Sequence, residues 1–312
     1  MPLTSTNTPH PLNYLLVLYP AHQLLDSAGP LDILSTVTKQ VNVPGTDITL
    51  TIVSETLSPV PLVPVAPRDA DWSFEESPEL SSATSPKGKI QGTGFNVPLT
   101  PTITFSTALE SLRKTGGKLE IENAYGQLEQ RTIDVLLIPG GIGSRMYRIS
   151  KATGERSLNC AASIDFVGEI CRQGWVQSAV LTVCTGSDLF ARTGLLRGRR
   201  ATTNFMAFDM VRDRHRDVRF LKGRRWVRSL PGEGVKEEGG SGSNGNGKLS
   251  DGRKEDVFER EVWTSAGISA GMDLTLWFVA EVYGRDFARG IARRLAYEWK
   301  EGVGEGEVDP FY

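Results

Sequence analysis

Val176-Gln-Ser-Ala-Val-Leu-Thr-Val183 is a short, mostly apolar run that enters Cys184-Thr-Gly186 directly, and a helical pattern begins at Ser187. A run of this length is far too short for a membrane span and reads as a buried strand. A strand that apolar needs cover on both faces, which points to a parallel sheet between helices. The same signal recurs. Asn13 to Tyr19 is apolar and ends at Pro20; Asp47 to Val53 is β-branched and alternating; Thr132 to Ile138 stops at Pro139-Gly140-Gly141. Helical patterns lie between and after these runs. One follows Gly29, with Pro30 placed as a first-turn residue. Ser157 to Gln173 repeats Leu158, Ala161, Ala162, Phe166 and Ile170; Ser187 to Gly194 is short; Ser269 to Tyr283 and Asp286 to Glu298 are late helices. Strands that alternate with helices predict an α/β sandwich with a mostly parallel sheet.

The chain has 312 residues, long enough for a sizeable core, and its 35 Lys and Arg against 37 Asp and Glu give a formal charge of −2. That balance gives no reason to expect nucleic acid as a partner. No apolar run approaches a membrane span, and the polar, Pro-rich stretch from Met1 to Pro11 does not resemble a secretory or transit peptide. Three cysteines, Cys160, Cys171 and Cys184, are too few for a disulfide framework or a closed zinc site. A reducing, cytoplasmic setting is therefore expected. No phosphate loop, dinucleotide fingerprint or metal cluster is visible, so no cofactor and no metal are expected. Residues 1–12 and 301–312 read as tails around a single domain spanning 13–300. Three polar stretches, at about 61–92, 112–130 and 231–256, read as surface insertions, the last Gly-rich and disordered.

The junction at Cys184 carries the chemistry. A strand, a sharp turn and a helix form an elbow that exposes the side chain at the turn, and a helix N-terminus favours thiolate over thiol. A packed core cysteine is the alternative reading. Cys160 and Cys171 read as core residues of the Ser157–Gln173 helix, Asp32 as a helix-surface or packing residue, and Trp263, Trp277 and Trp299 as core or interface. Arg192 to Arg228 holds twelve Lys or Arg and three Asp, which reads as a solvated face or partner patch.

Four separated stretches resemble the DJ-1/PfpI (ThiJ) superfamily and, within it, the isocyanide hydratase-like branch. They are Leu24-Leu-Asp26-Ser-Ala-Gly-Pro30-Leu-Asp-Ile-Leu; Ile133 to Gly141; Val183-Cys-Thr-Gly186 with Gly194-Leu-Leu-Arg-Gly-Arg-Arg-Ala-Thr-Thr203; and Thr264-Ser-Ala-Gly-Ile-Ser-Ala-Gly-Met-Asp-Leu274. Their order and collinearity argue against chance. The resemblance implies a flavodoxin-like three-layer α/β/α sandwich and a homodimer with its site near the interface. It implies Cys184 as nucleophile, Asp26 as the acidic residue beside it, and Gly141 and Thr185 as backbone N–H donors to a developing anion. One departure stands out. Many relatives have His after the Ala-Thr-Thr triplet, where this chain has Asn204, which can orient a substrate but not act as a base. None of His10, His22 and His215 lies where a Cys–His pair needs it.

The implied reaction is cofactor-free hydration of an isocyanide (isonitrile), a small-molecule substrate, to an N-substituted formamide, with Cys184 forming a thioimidate and Asp26 as acid/base. Two alternatives use the same cysteine: a glyoxalase or deglycase on small carbonyls, and a non-enzymatic redox or stress sensor. A regulator with an appended helix-turn-helix module is not expected, because only about fourteen residues follow the last predicted helix.

Overall fold

The computed structural model describes residues 11–40, 48–66, 70–75, 96–123, 125–233 and 258–301. Its first half runs β1 (Asn13–Val17), α1 (Leu24–Gln40), β2 (Thr49–Ser54), β3 (Trp72–Phe74), β4 (Ile103–Thr104), α2 (Phe105–Thr115), β5 (Leu119–Glu122), β6 (Leu128–Arg131) and β7 (Ile133–Ile138). It continues with β8 (Tyr147–Ser150), β9 (Arg156–Leu158), α3 (Ala161–Arg172), β10 (Val176–Val183), α4 (Gly186–Arg192) and β11 (Arg200–Ala201). The last part is α5 (Phe208–Arg214), β12 (Arg219–Phe220), β13 (Trp226–Ser229), β14 (Glu261–Ser265), α6 (Ile268–Tyr283) and α7 (Arg285–Arg294).

Seven strands form the central sheet in the order β13-β14-β10-β7-β1-β2-β4. Every pair is parallel except β13 with β14 at the edge. Without the two-residue β4 and the antiparallel edge, this is the flavodoxin-like order, as expected. Period-two alternation builds the layers. In and just after β1, Leu15, Val17 and Tyr19 face a core shared with Phe105, Phe166 and Phe190. Tyr14, Leu16 and Leu18 face the opposite core, with Ile33, Trp263 and Leu274. Helices α1, α6 and α7 cover one face, and α2, α3 and α4 the other.

Several expectations are corrected. Helix α1 begins at Leu24, so Pro30 lies inside it rather than in its first turn. Proline donates no N–H, so the helical bond to the Asp26 carbonyl is missing near the functional end of the helix. Residues 156–158 form a strand, and the helix expected from Ser157 starts at Ala161 with Cys160 at its N-cap position. The stretch 112–130 is not a plain loop. It holds the end of α2 and the β5–β6 hairpin. Charge concealed α2, whose buried stripe is narrow: Phe105, Ala108, Ser111 and Leu112. The insertions expected at 61–92 and 231–256, and both tails, lie largely outside the described residues.

The basic stretch divides: Arg197, Arg212, Arg214, Arg216, Arg219 and Lys222 are exposed, as a solvated face has them, whereas others turn inward. Arg199 is 4% exposed and donates to the carbonyls of Ser229, Phe258 and Arg260. Arg225 pairs with buried Asp273 at 2.6 Å, and Arg228 with Glu261 at 2.7 Å. These arginines hold the β13 edge to its neighbours. Cys160 and Cys171 are buried as expected, and Trp263 and Trp277 sit with Trp226 and Trp299 in one aromatic cluster. No helix among the described residues is long and apolar enough to cross a membrane.

Candidate active site

From β1 the chain steps outward to β2 and β4, then returns to the other side of β1 at β7 and continues through β10 to β14. The direction reverses between β1 and β7, and the carboxyl ends of strands at such a reversal open a crevice. Three segments converge there: the turn into α1 with Asp26, Pro139-Gly140-Gly141 after β7, and Cys184 after β10.

Cys184 has φ +57°, a left-handed conformation that L-residues rarely adopt. The surroundings over-determine it. Its N–H donates to the Ser265 carbonyl at 3.1 Å, and its carbonyl accepts from Ser187 Oγ at 3.0 Å and Thr203 Oγ1 at 3.2 Å. Gly140 sits at the meeting point. A methyl group there would stand 2.5 Å from the Thr185 amide nitrogen, 2.8 Å from Cys184 Cβ and 2.9 Å from Asp26 Oδ2. The bare Cα lets the three groups share one space, and the Gly140 N–H donates to Asp26 Oδ2 at 3.0 Å. Gly140→Ala is expected to cost about 1–3 kcal/mol of stability through overpacking. It should also lower any Cys184-dependent turnover about 100-fold by displacing the elbow. Thermal unfolding and steady-state kinetics of the same preparation separate the two effects.

Asp26 is 2% exposed, and burial raises its carboxyl to about 7 against the opposing pull of the Gly140 amide and the Cys184 thiol. Its Oδ1 has no hydrogen-bond partner among the described residues. Burial first, and the Asp26 charge second, push the Cys184 thiol up to about 12, while the Thr185 amide and hydroxyl and the Arg145 charge oppose the shift. The expected standing thiolate at a helix N-terminus is therefore corrected. Desolvation outweighs the helix end, and the resting sulfur is a thiol beside a carboxyl that titrates near neutrality.

The two expected N–H donors fare differently. The Gly141 N–H is already donated to Thr185 Oγ1 at 3.0 Å, and Ser144 Oγ closes the network with contacts of 3.0 Å to Thr185 Oγ1 and 2.8 Å to the Gly141 carbonyl. Gly141 thus supports the elbow through Thr185 rather than offering a free donor. The Thr185 N–H leans on the sulfur itself. Asn204 Oδ1 accepts the Met206 N–H at 3.0 Å and caps the Phe205–Ala207 turn, so this oxygen serves the backbone. Its neighbour Thr203 reaches the elbow instead.

Neither described histidine pairs with the sulfur. His22 Nδ1 lies 3.1 Å from the Tyr19 carbonyl, and burial lowers the ring to about 4, leaving it neutral. His215 Nε2 meets Asp188 at 2.8 Å. Sequence reasoning missed Gly140, Ser144, Arg145 and Tyr19, whose hydroxyl donates to the Pro139 carbonyl at 2.8 Å. The Pro-Gly-Gly-Ile-Gly-Ser-Arg run was visible, but which of its atoms face the cysteine depends on the turn.

A family model described as the DJ-1/PfpI family matches residues 79–281. Isonitrile hydratase of Pseudomonas putida is 26% identical over 165 residues, which cover 53% of this chain and 52% of that protein. The chain thus aligns with about half the length of this curated relative. Among solved structures, a ThiJ/PfpI family protein from Pseudomonas syringae superposes with a TM-score of 0.50 at 18% identity, covering 95% of this chain and 79% of that one. DJ-1beta of Drosophila melanogaster gives a TM-score of 0.48 at 14% identity, with 93% and 100% covered. The sheet order, the strained cysteine after β10 and the matched span agree: this chain belongs to the DJ-1/PfpI family.

Proposed function

We propose that this protein is a cofactor-free enzyme that hydrates an isocyanide to an N-substituted formamide. The observation that carries the reading is the pairing of a strained cysteine with a buried carboxyl near neutrality, with neither described histidine on the sulfur. The similarity to isonitrile hydratase, partial as it is, supports the substrate class.

An isocyanide carbon is attacked by a nucleophile and must then gain a proton. In the proposed sequence, the Cys184 sulfur bonds to the terminal carbon as its proton passes to Asp26. Asp26 delivers that proton to the same carbon, giving the thioimidate Cys184–S–CH=N–R. Water then adds to the thioimidate carbon, with Asp26 as base, and the C–S bond breaks. The sulfur regains its proton and the formamide leaves. The sum is isocyanide plus water to formamide, with both residues restored.

A thiol held high by burial suits this sequence, because a single proton is shuttled within the pair and no standing thiolate is needed. Redox sensing by the same sulfur needs an accessible thiolate, against which burial works. The test is formamide formation from a simple alkyl or aryl isocyanide by the purified chain, followed by mass spectrometry. Formamide above the buffer rate supports the reading. Its absence, with turnover of a small dicarbonyl in the same preparation, would replace it by the glyoxalase or deglycase reaction.

A further inference from the structure

Apart from the cysteine, a cavity of about 280 Å³ opens where the ends of β1 and β2 meet β3 and β8. Its floor is Arg148, a guanidinium only 6% exposed. A charge buried that deeply needs several partners, and Arg148 has three. Nε donates to Asn159 Oδ1 at 2.8 Å, Nη1 donates to Glu55 Oε2 at 2.6 Å, and the guanidinium carbon lies 3.9 Å from the centroid of the Trp72 ring. The other end, Nη2, donates to no described residue, and Arg148 is among the cavity's lining. Asn159 holds the arginine by donating to the carbonyls of Pro20 and Gly143 at 2.8 and 2.9 Å.

The rest of the lining narrows the ligand. Two carboxylates stand against the one guanidinium. Glu55 is 43% exposed and uses only Oε2, and the Asp71 carboxylate has no hydrogen bond or ion pair among the described residues. A polyanion such as a nucleotide is repelled by these groups. The volume, just under the usual range for small-molecule sites, suits a small ligand. Pro20, Pro59, Val60 and the Trp72 ring supply apolar wall. The combination fits a small molecule with a carboxylate for Arg148 Nη2, an ammonium for Asp71 and Glu55 Oε1, and a short apolar body.

We propose that the Arg148–Trp72–Asp71 cavity is a binding site for a free α-amino acid with an apolar side chain, separate from the Cys184 centre. Arg148 orients the carboxylate, Asp71 and Glu55 take the ammonium, and Trp72 with the prolines covers the side chain. The site stands whether or not the proposed reaction does, because none of its lining belongs to the cysteine–carboxyl pair.

The test is isothermal titration of the full chain with L-leucine, L-leucinamide, which lacks the carboxylate, and N-acetyl-L-leucine, which lacks the ammonium. L-Leucine is expected to bind, and each derivative to bind at least about tenfold more weakly through loss of a charge-assisted contact. Asp71→Asn, on the exposed rim, is expected to fold normally and weaken L-leucine about tenfold. Arg148→Lys keeps the charge but not the planar fork, and is expected to weaken it by as much or more. The proposal is overturned if L-leucine does not bind at millimolar concentration. It is equally overturned if L-leucinamide and N-acetyl-L-leucine bind as well as L-leucine, or if Asp71→Asn leaves affinity unchanged.

Discussion

Asp26→Asn is expected to lower isocyanide turnover by about 100- to 10,000-fold, the range a positioned proton carrier contributes. Cys184→Ala should remove it altogether. The aspartate variant should show a second, opposite effect. The Asp26 charge is one of the two causes that hold the Cys184 thiol high, so its loss lowers the thiol pKa. Alkylation of Cys184 at mildly alkaline pH should therefore be faster in Asp26→Asn than in wild type. An asparagine that merely disrupted the fold would expose buried Cys160 and Cys171 as well and speed alkylation of all three, so acceleration confined to Cys184, read by peptide mass spectrometry, is the expected result. In wild type, kcat/KM should rise with pH through about 7, as the pair loses the first of its two protons and the remaining one becomes available for transfer. A profile flat across this region would remove Asp26 from the reaction.

The same shift leaves a thermodynamic trace. Asp26 has a folded-state pKa raised above its unfolded value. The native state therefore holds the proton more tightly, and wild type loses stability as pH rises from about 4 to about 7. The asparagine side chain of the variant does not titrate. The stability of wild type relative to Asp26→Asn should fall by roughly 4 kcal/mol across that window. Urea unfolding of both proteins at several pH values measures it.

Asp188→Ala is expected to destabilise the fold by about 3 kcal/mol, the lower end of the cost of breaking a buried ion pair. Asp188 is fully buried in α4, directly behind the elbow. It accepts from His215 Nε2 at 2.8 Å and Arg214 Nη1 at 2.8 Å, and from Arg192 at 3.4 Å. Removing it strands positive charge. Arg214 and Arg192 are 33% and 20% exposed, so water recovers part of the loss. Burial pushes Asp188 up, but His215, Arg192 and Arg214 outweigh it and hold the carboxyl below its ordinary value. The sign is thus opposite to that of Asp26: Asp188 contributes stability at neutral pH that is lost as pH falls through its depressed folded-state value. A shift of the urea midpoint at neutral pH, shrinking in acid, is the expected result. The two aspartates differ only in company, one beside a neutral thiol and an amide, the other among cations.

Much of the architecture was legible because it depends on local period. The apolar runs at Asn13–Tyr19, Thr132–Ile138 and Val176–Val183 could not be solvated, and the helical periods that follow them supply the covering layers. The elbow at Cys184 was legible for the same reason. Helix α2 was not, because its buried stripe is narrow and its other positions are polar. Within 192–228 it was Arg192, Arg199, Arg225 and Arg228 that could not be told from their exposed neighbours, because charge in sequence does not reveal its partners. Asp188, Asp273 and Glu261 come from elsewhere in the chain.

The candidate site divides along the same line. By itself the sequence determined that a cysteine would stand at a strand-to-helix turn, because an apolar strand followed by a glycine-containing turn has few other outcomes. It also supplied, by resemblance, the carboxyl at Asp26. Tertiary structure alone decided that Gly140 rather than Gly141 faces both groups, that Thr185 consumes the Gly141 amide, and that Asn204 serves the backbone. It also decided the protonation of the pair. A helix N-terminus is a local feature and favours thiolate, whereas desolvation is a property of everything packed around the sulfur, and here desolvation is the larger effect.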